Sequence, residues 1–580
     1  MLGCVLLSSA LLLFYGLGGR DLWDSGETRY ALKALTMRQT GNWIVPSLMG
    51  QPWLRKPPLL MWLINLFGLG GGGINDWTAR LPSAVAGLGT VLLVFWWGQR
   101  LKGLRFGAVV GFSLLTTPLF VARARVNDPE PLLAFFITLA LFAFYAHYHG
   151  WTLGRRWWVP FAAMALATLT KGPMGLVIPW LVIVTYLWSR RDLGALRRMR
   201  LGRGLLLYAA ITLPWFLAVT FVFHQSVDRI LYGEIIKTVS GRGGHEPWVY
   251  YIGALFLGFF PWSLFLPALA LVWRYYPESD TGARDGLQFC TVWGVVIFLI
   301  LSVTTKKRFY YAFHLLPPVS LLMGFLWQYV ITGGYERHRW IRTSHQYLLA
   351  GLACVALVAA AAVGIGAAGL GLPGHAAVAD PSPGDLLVMI LVFILLCLGT
   401  VLLRQGRYRW VPAAMITAVL LGEVLMVQSI IPELYPNPRA REIGERLRGY
   451  VKAGAEVLMV DYYSHAVAFY FGRDIPLIPH RVLGPFLAGE KHLLLVTNQA
   501  GARTIPDSYG HHRITLCRKF DYPTVRPFRF KPAKSTVLMV FSNQNCDVLD
   551  SRAGKDEGAV SLVEAVPGEE LHRRFLALTR

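Results

Sequence analysis

The stretch RDLWDSGETRYALKALTMRQTGNWIVPSLMGQPWLRKPP (20–58) follows directly on an apolar opening run and leads into another. It crowds Asp21, Asp24, Glu27, Arg29, Lys33, Arg38, Arg55 and Lys56 beside Trp23, Trp43 and Trp53. It is too long for a tight hairpin between membrane spans, and loops of this length are usually functional. Carboxylates and bases packed together at this point indicate chemistry at a membrane surface.

The rest of the chain agrees with that reading. It has 580 residues, 54% of them hydrophobic, with 20 Trp. Many apolar runs approach the roughly 20 residues that cross a hydrocarbon core. They fall at about 1–18, 81–98, 107–122, 131–149, 157–170, 173–189, 204–223, 250–273, 287–303, 309–331, 347–370, 385–403 and 410–431. The expectation is a polytopic α-helical membrane protein with about 13 transmembrane helices. The opening MLGCVLLSSALLLFYGLG lacks a basic n-region and a small-residue cleavage motif, so it reads as an uncleaved first span.

A net charge of +23 suggests nucleic acid until the bases are located. Nineteen of the 56 lie in short loops after even-numbered runs: Arg100, Lys102 and Arg105; Arg155 and Arg156; Arg190 through Arg203; Arg274 and Arg284; Arg337, Arg339 and Arg342; Arg404, Arg407 and Arg409. Basic loops mark the cytoplasmic side, so topology accounts for them and no nucleic-acid partner is needed. The first loop and the C-terminal region then fall outside, on the periplasmic face of a bacterial inner membrane. Topology does not account for Arg29, Lys56, Arg123, Arg125, Lys171, Arg242, Lys306, Lys307 and Arg308, which fall on the outer side. Singly, such residues snorkel from helix ends. As a set beside carboxylates, they suit an anion at the membrane surface, a phosphate above all.

From Tyr435 onward the composition turns polar. The segment 436–454 reads as an amphipathic helix, and EVLMVDYY, HLLLVTNQ and STVLMVFSN read as short buried strands. A small extramembrane α/β domain over 435–580 is expected, with a transmembrane domain over 1–434 that carries the first outer loop at 20–80. No glycine-rich nucleotide fingerprint is present. Cys4, Cys290, Cys354 and Cys397 lie in apolar runs as packing residues. Cys517 and Cys546 both lie in the polar region, and the sequence leaves their pairing open.

Several outer segments carry chemistry. DSGETRY (24–30) places Asp24 and Glu27 three apart, on one face if helical. LRKPP (54–58) sets Arg55 and Lys56 before two prolines that fix the chain. ARARVNDPEP (122–131) puts Asp128 and Glu130 at the entrance to a span, and TKGP (170–173) holds Lys171 between two runs. GRGGHEPWVYY (241–251) offers His245 and Glu246, and TTKKRFYY (304–311) gives three bases followed by aromatics. A carboxylate can take a proton from an attacking hydroxyl or amine. Cations can stabilise a departing phosphate. Aromatics such as Tyr30 and Trp53 can grip a sugar face or an isoprenoid chain. The bland alternative for the carboxylates is ion pairing with neighbouring arginines.

The order WDSGETRYALKALTMRQTGNWIVPSLMGQPWLRKPPLLMWL, DWTARLPSAVAGL, NDPEPLLAFF, LATLTKGPMGLVIP and HEPWVYYIGALFLGFFPWSLFLP resembles the membrane-embedded GT-C glycosyltransferases. Within that class it is similar to the bacterial lipid A aminoarabinose transferases and to protein O-mannosyltransferases, over roughly residues 20–320. The resemblance implies a polyprenyl-phosphate-linked sugar donor and inverting transfer at the periplasmic face, with lipid A or another envelope molecule as acceptor. Residue by residue, Glu27, Arg29 and Tyr30 match the acidic-x-Arg-Tyr segment, Lys56 the donor-phosphate lysine, Asp128 the acid at the fourth span, and Lys171 the lysine of the TKGP segment. Two positions depart. Gly26 stands where relatives often carry the aspartate that leads as catalytic candidate, so Asp24 is a possible substitute. Arg55 stands where a glutamate implicated in a metal site is frequent, so no metal and no cofactor are expected.

The residues assigned from sequence are therefore Asp24, Glu27 and Asp128 for catalysis. Arg29, Lys56, Lys171, Lys306, Lys307 and Arg308 are assigned to the donor phosphate, and Tyr30, Trp53, Arg55, His245 and Glu246 to substrate contact. A protein O-mannosyltransferase-like activity and a flippase for lipid-linked sugars are the competing readings. The latter calls for internal repeats and mid-membrane charges, which the sequence does not present.

Overall fold

The computed structural model describes the chain except residues 24–25, 55, 71, 152–155, 223–245, 277–279, 306, 368–382, 428–439, 453–454, 488–491, 506–507, 510–511, 525–533 and 544–580. It divides into two compact units. One comprises 1–17, 55–60 and 80–434; the other comprises 18–54, 61–79 and 435–580.

The first unit is helical, and each of the thirteen apolar runs is helical over most of its length. Among the described residues, eight helices are long and apolar enough to cross a membrane: Asp76–Lys102, Pro129–Tyr148, Leu201–Phe221, Thr281–Val303, Phe309–Arg337, Arg339–Val363, Gly384–Arg404 and Tyr408–Leu425. A ninth span results if Leu104–Leu115 and Pro118–Ala124, bent by 68°, count as one. This is fewer unbroken spans than the thirteen runs suggest, for local reasons. Pro118 has no N–H to continue the preceding helix, and the Trp262 indole donates to Thr116 Oγ1 at the bend (3.1 Å). Leu2–Phe14, Val159–Lys171 and Met174–Ser189 are apolar but short. The run near 250–273 breaks into the Tyr250–Gly258 helix, the tight Trp262–Ala268 turn and the Leu269–Tyr275 helix.

Packing ranks these helices. The Phe309–Arg337 stretch has 83% of its most apolar window buried, whereas Arg339–Val363 and Gly384–Arg404 have 17%. The first is a central element; the other two turn apolar side chains outward, as hydrocarbon surroundings allow. The centre is filled by Trp97, Trp262, Trp293 and Trp327, all fully buried, with Trp97 and Trp293 stacked at 5.8 Å. Gly107 lets two helices touch closely: a Cβ there would lie 2.5 Å from the Phe95 carbonyl oxygen.

The second unit is built on a five-stranded sheet. Its strands are β1 (Glu456–Val460), β2 (Leu477–Ile478), β3 (Leu493–Asn498), β4 (Thr515–Thr524) and β5 (Lys534–Ser542). The spatial order is β2-β1-β3-β5-β4, with β1 parallel to β2 and β3, and β5 antiparallel to both β3 and β4. The amphipathic segment forms the Ala440–Lys452 helix, and its Ala440, Ile443 and Leu447 enter the core with Val457, Met459 and Leu494. Residues of the first loop share that core: Leu22, Ala31, Leu32 and Leu48 pack with Val467 and Tyr470. Cys517 is disulfide-bonded, Cys546 lies outside the described residues, and Cys4, Cys290, Cys354 and Cys397 are free.

Candidate functional site

Two buried ionic assemblies occupy the helical unit. The first draws on the start of the fourth apolar run, the end of the fifth, and the start of the tenth. Asp128 caps the Pro129–Tyr148 helix, accepting from the Glu130 N–H (2.9 Å), as short polar side chains do at helix starts. That cap turns Glu130 into the first helical turn, where it is 2% exposed. Gly172 (φ 91°) ends the Val159–Lys171 helix in a conformation that glycine adopts freely. Lys171 is thereby left on the last turn, its Nζ 2.5 Å from Glu130 Oε1. The tight Phe309–Leu315 helix supplies His314, whose Nε2 lies 2.8 Å from Glu130 Oε2. Aromatics enclose the group. Lys171 Nζ sits 4.4 Å from the Tyr311 ring centre, and the Arg123 guanidinium 4.6 Å from that of Tyr310. Arg123 also pairs with Asp128. Tyr251 Oη accepts from the Arg308 N–H (3.2 Å), and Lys307 Nζ donates to the Thr304 carbonyl (2.6 Å).

The second assembly centres on Asp285, 5% exposed, near the start of the Thr281–Val303 helix. It accepts from the Tyr145 (3.0 Å) and Tyr186 (2.7 Å) hydroxyls and pairs with His149 (2.8 Å) and Arg190 (3.2 Å).

Of the residues assigned from sequence, Asp128, Lys171 and Arg308 come together around Glu130 and His314 in the helical unit, while Lys307, next to Arg308 in the chain, turns its Nζ to the Thr304 carbonyl. Lys56, half-buried, belongs to the same unit, just before the Leu59–Phe67 helix. Glu246 is exposed, a few residues before the Tyr250–Gly258 helix. Asp24, Arg55, His245 and Lys306 lie outside the described residues.

Glu27, Arg29, Tyr30 and Trp53 belong to the second unit. Glu27 opens the Glu27–Thr40 helix, and its Oε2 accepts from the Arg20 guanidinium (2.8 Å) and the Trp23 N–H (3.1 Å). Both donors are local, so Glu27 closes its own loop as well as carrying charge. Lys33, fully buried, has its Nζ 3.4 Å from the Trp53 ring centre and 4.1 Å from that of Tyr30. The Arg29 guanidinium lies 5.8 Å from the Tyr30 ring. Near these cations, His465 is pushed down to about 3, by burial first and then by the charges of Arg29 and Lys33. Arg441 joins Asp21 (2.8 Å) and Asp76, and the Tyr470 hydroxyl donates to Asp76 (2.6 Å). Among the described residues, no group of three or more His, Cys, Asp or Glu is arranged to hold a metal ion.

Sequence reasoning passed over His314 and gave Glu130 no role. His314 lies in the apolar FYYAFHLLPP rather than in a charged loop, and Glu130 reads as a companion of Asp128 in ARARVNDPEP. The available signal was depth, because an ionisable residue inside an apolar run is costly unless partnered or functional.

Three comparisons bear on this arrangement. A family model described as dolichyl-phosphate-mannose-protein mannosyltransferase matches residues 5–241. An uncharacterized protein of Aquifex aeolicus is 30% identical over 331 residues, which is 56% of this chain and 71% of that protein. An undecaprenyl phosphate-alpha-4-amino-4-deoxy-L-arabinose arabinosyl transferase of Pseudomonas fluorescens is 28% identical over 331 residues, 54% of this chain and 56% of its own. The chain spans 56% to 62% of the lengths of its first four curated relatives. The fold matches the crystal structure of ArnT from Cupriavidus metallidurans bound to undecaprenyl phosphate. The TM-score is 0.73 at 20% identity, over 94% of this chain and 98% of the other.

Proposed function

Since the chain belongs to the membrane-embedded GT-C glycosyltransferases, the family of the protein mannosyltransferases and aminoarabinose transferases, we propose that it moves a sugar from a polyprenyl-phosphate donor to lipid A or another envelope acceptor by inverting displacement. The observation that carries this is the gathering of Arg123, Lys171 and Arg308, from separate chain crossings, with Tyr251, Tyr310 and Tyr311. Against them stand Asp128 and Glu130, so the bases outnumber the acids. That surplus suits a phosphate leaving group. Lys56 is a further phosphate ligand in this reading, and Asp128 orients the acceptor.

The site and the C-terminal α/β domain lie on the periplasmic side in this proposal. Two observations support that orientation: the basic loops after the even-numbered runs, and the disulfide at Cys517, a bond of oxidising compartments.

The test is transfer by membranes containing the protein, using synthetic undecaprenyl-phosphate aminoarabinose and undecaprenyl-phosphate mannose as donors. Lys56→Ala and Arg308→Ala should each lose about 10- to 100-fold in donor use while inserting normally, as loss of a charged hydrogen bond of about 1.5–3 kcal/mol implies. Full activity in both variants removes the phosphate assignment. Mass spectrometry then separates the acceptors: label on lipid A supports the lead reading, and label on a protein hydroxyl supports the O-mannosyltransferase-like one.

A further inference from the structure

Transfer to an acceptor hydroxyl leaves a proton to be placed. Among the described residues, the carboxylates assigned to catalysis from sequence are already engaged. Glu27 accepts from Arg20 and Trp23, and Asp128 from Arg123 and the Glu130 N–H. His314 differs from both. Its side chain is 5% exposed, and its Nε2 meets Glu130 Oε2 at 2.8 Å. The other oxygen of Glu130 is held by the Lys171 ammonium at 2.5 Å. An ionised carboxylate only accepts, so the hydrogen in the His314–Glu130 bond sits on Nε2. In the neutral imidazole, Nδ1 then carries the lone pair. That atom is buried and has no hydrogen-bond partner among the described residues. Leaving a buried acceptor unmet is unfavourable, and a group that donates to Nδ1 would relieve it.

We propose that His314 is the catalytic base of the transfer, an inference that rests on the reaction proposed above. As the acceptor oxygen bonds to the anomeric carbon, its proton passes to His314 Nδ1. The bond from the anomeric carbon to the phosphate oxygen breaks, and its electron pair leaves with the polyprenyl phosphate. Glu130 is a positioning residue that fixes the tautomer and stabilises the imidazolium, the part a buried carboxylate plays behind a catalytic histidine. Lys171 keeps Glu130 ionised beforehand. Among the described residues, the other charged or titratable groups around the pair are Arg123 and Asp128, Tyr251 from the Tyr250–Gly258 helix, and Arg308, Tyr310 and Tyr311 on the segment of His314 itself.

The test uses the full chain in detergent, with undecaprenyl phosphate as the binding probe and the two synthetic donors for transfer. His314→Gln should lower transfer by 10²- to 10⁴-fold, the usual worth of a general base, and leave undecaprenyl phosphate binding unchanged. Glu130→Gln should keep part of the activity, with the loss in kcat rather than in KM for the donor, because the amide still holds the ring but no longer stabilises the imidazolium. The difference between nitrogen spectra of ¹⁵N-histidine-labelled wild type and His314→Gln should show an imidazole with its hydrogen on Nε2. A hydrogen on Nδ1, wild-type transfer by His314→Gln, or equal loss of binding and transfer overturns the base assignment. If wild type binds undecaprenyl phosphate yet transfers neither sugar, the transfer reading itself fails and the base assignment falls with it.

Discussion

The pairing of Glu130 with Lys171 has an energetic consequence that a double-mutant cycle measures. Lys171→Met leaves Glu130, 2% exposed, paired through its side chain with His314. Two unit charges about 4 Å apart attract by about 4 kcal/mol at an effective dielectric of about 20. Removing one partner of a buried pair costs about 3–5 kcal/mol. His314 still holds the other oxygen of Glu130, so the lower end, about 3 kcal/mol, is expected. Glu130→Gln should cost less, about 1–2 kcal/mol, because Lys171 is 12% exposed and keeps the Tyr311 face. The double variant Glu130→Gln/Lys171→Met buries no ion, and apolar or neutral replacement of a buried pair is often close to neutral. It should therefore be more stable than Lys171→Met alone, with a coupling of about 4 kcal/mol. Unfolding free energies in mixed micelles give the four corners of the cycle. Additivity within about 0.5 kcal/mol, the margin for independent sites, would refute a direct buried ion pair.

Other perturbations reach the second unit and the far assembly. His465 ordinarily titrates at 6.5 and is pushed down to about 3 in the fold. The unfolded chain therefore binds the proton first. The stability it contributes is complete above about 6.5 and falls by about 1.4 kcal/mol per pH unit as the pH drops toward 3. His465→Phe should flatten that slope in pH-dependent unfolding of the full chain, and an unchanged slope would discard the assignment. Arg441→Ala removes the cation that joins Asp21 and Asp76, each 7% exposed. The Arg441 side chain is itself 44% exposed, so the effect should be about 2 kcal/mol rather than the full value of a buried pair, read as a lower unfolding midpoint with earlier proteolysis. Asp285→Asn should lower thermal stability by about 2–3 kcal/mol while undecaprenyl phosphate still binds at wild-type affinity; a binding defect would tie the far assembly to the phosphate site.

Much of this architecture was written in the sequence because it depends on run length and local charge. Each apolar run became helical, and EVLMV, LLLVTN and the STVLMVFS segment became strands of one sheet. What the sequence did not show was the continuity of the spans. Hydropathy counts Leu104–Ala124 as one passage, whereas the chain bends 68° at Pro118. Partnership was equally hidden. Asp128 and Glu27 read as available carboxylates because their donors, Arg123 and Arg20, are known to be aimed at them only once helix phase is fixed. The partners of Glu130 are 41 and 184 residues away, beyond any local pattern. The grouping of the first loop with the C-terminal residues was also hidden, since shared cores such as that of Leu32 and Val467 leave no mark on composition.

The two ionic assemblies of the helical unit also test the alternation of the chain. Glu130 opens the fourth apolar run, Lys171 closes the fifth, and Arg308 and His314 open the tenth. Asp285 opens the ninth run, His149 follows the fourth, and Arg190 follows the sixth. Strict alternation puts the first set at one end of the unit and the second at the other. A single miscounted crossing would move partners such as Glu130 and Lys171 about 30 Å apart, the thickness of a hydrocarbon core; they are 2.5 Å apart. The exits of the fourth and sixth runs therefore share a face with the start of the ninth. The two faces are built from the same residue types, a carboxylate with a histidine, a base and tyrosines, yet they differ in one respect. His149 is 27% exposed, so water can reach the imidazole and a structural role satisfies the group. His314 is sealed at 5% exposure, and its Nδ1 has no partner among the described residues. The asymmetry falls on the face where the surplus of outer bases collects, which is where a transferred proton would need an acceptor.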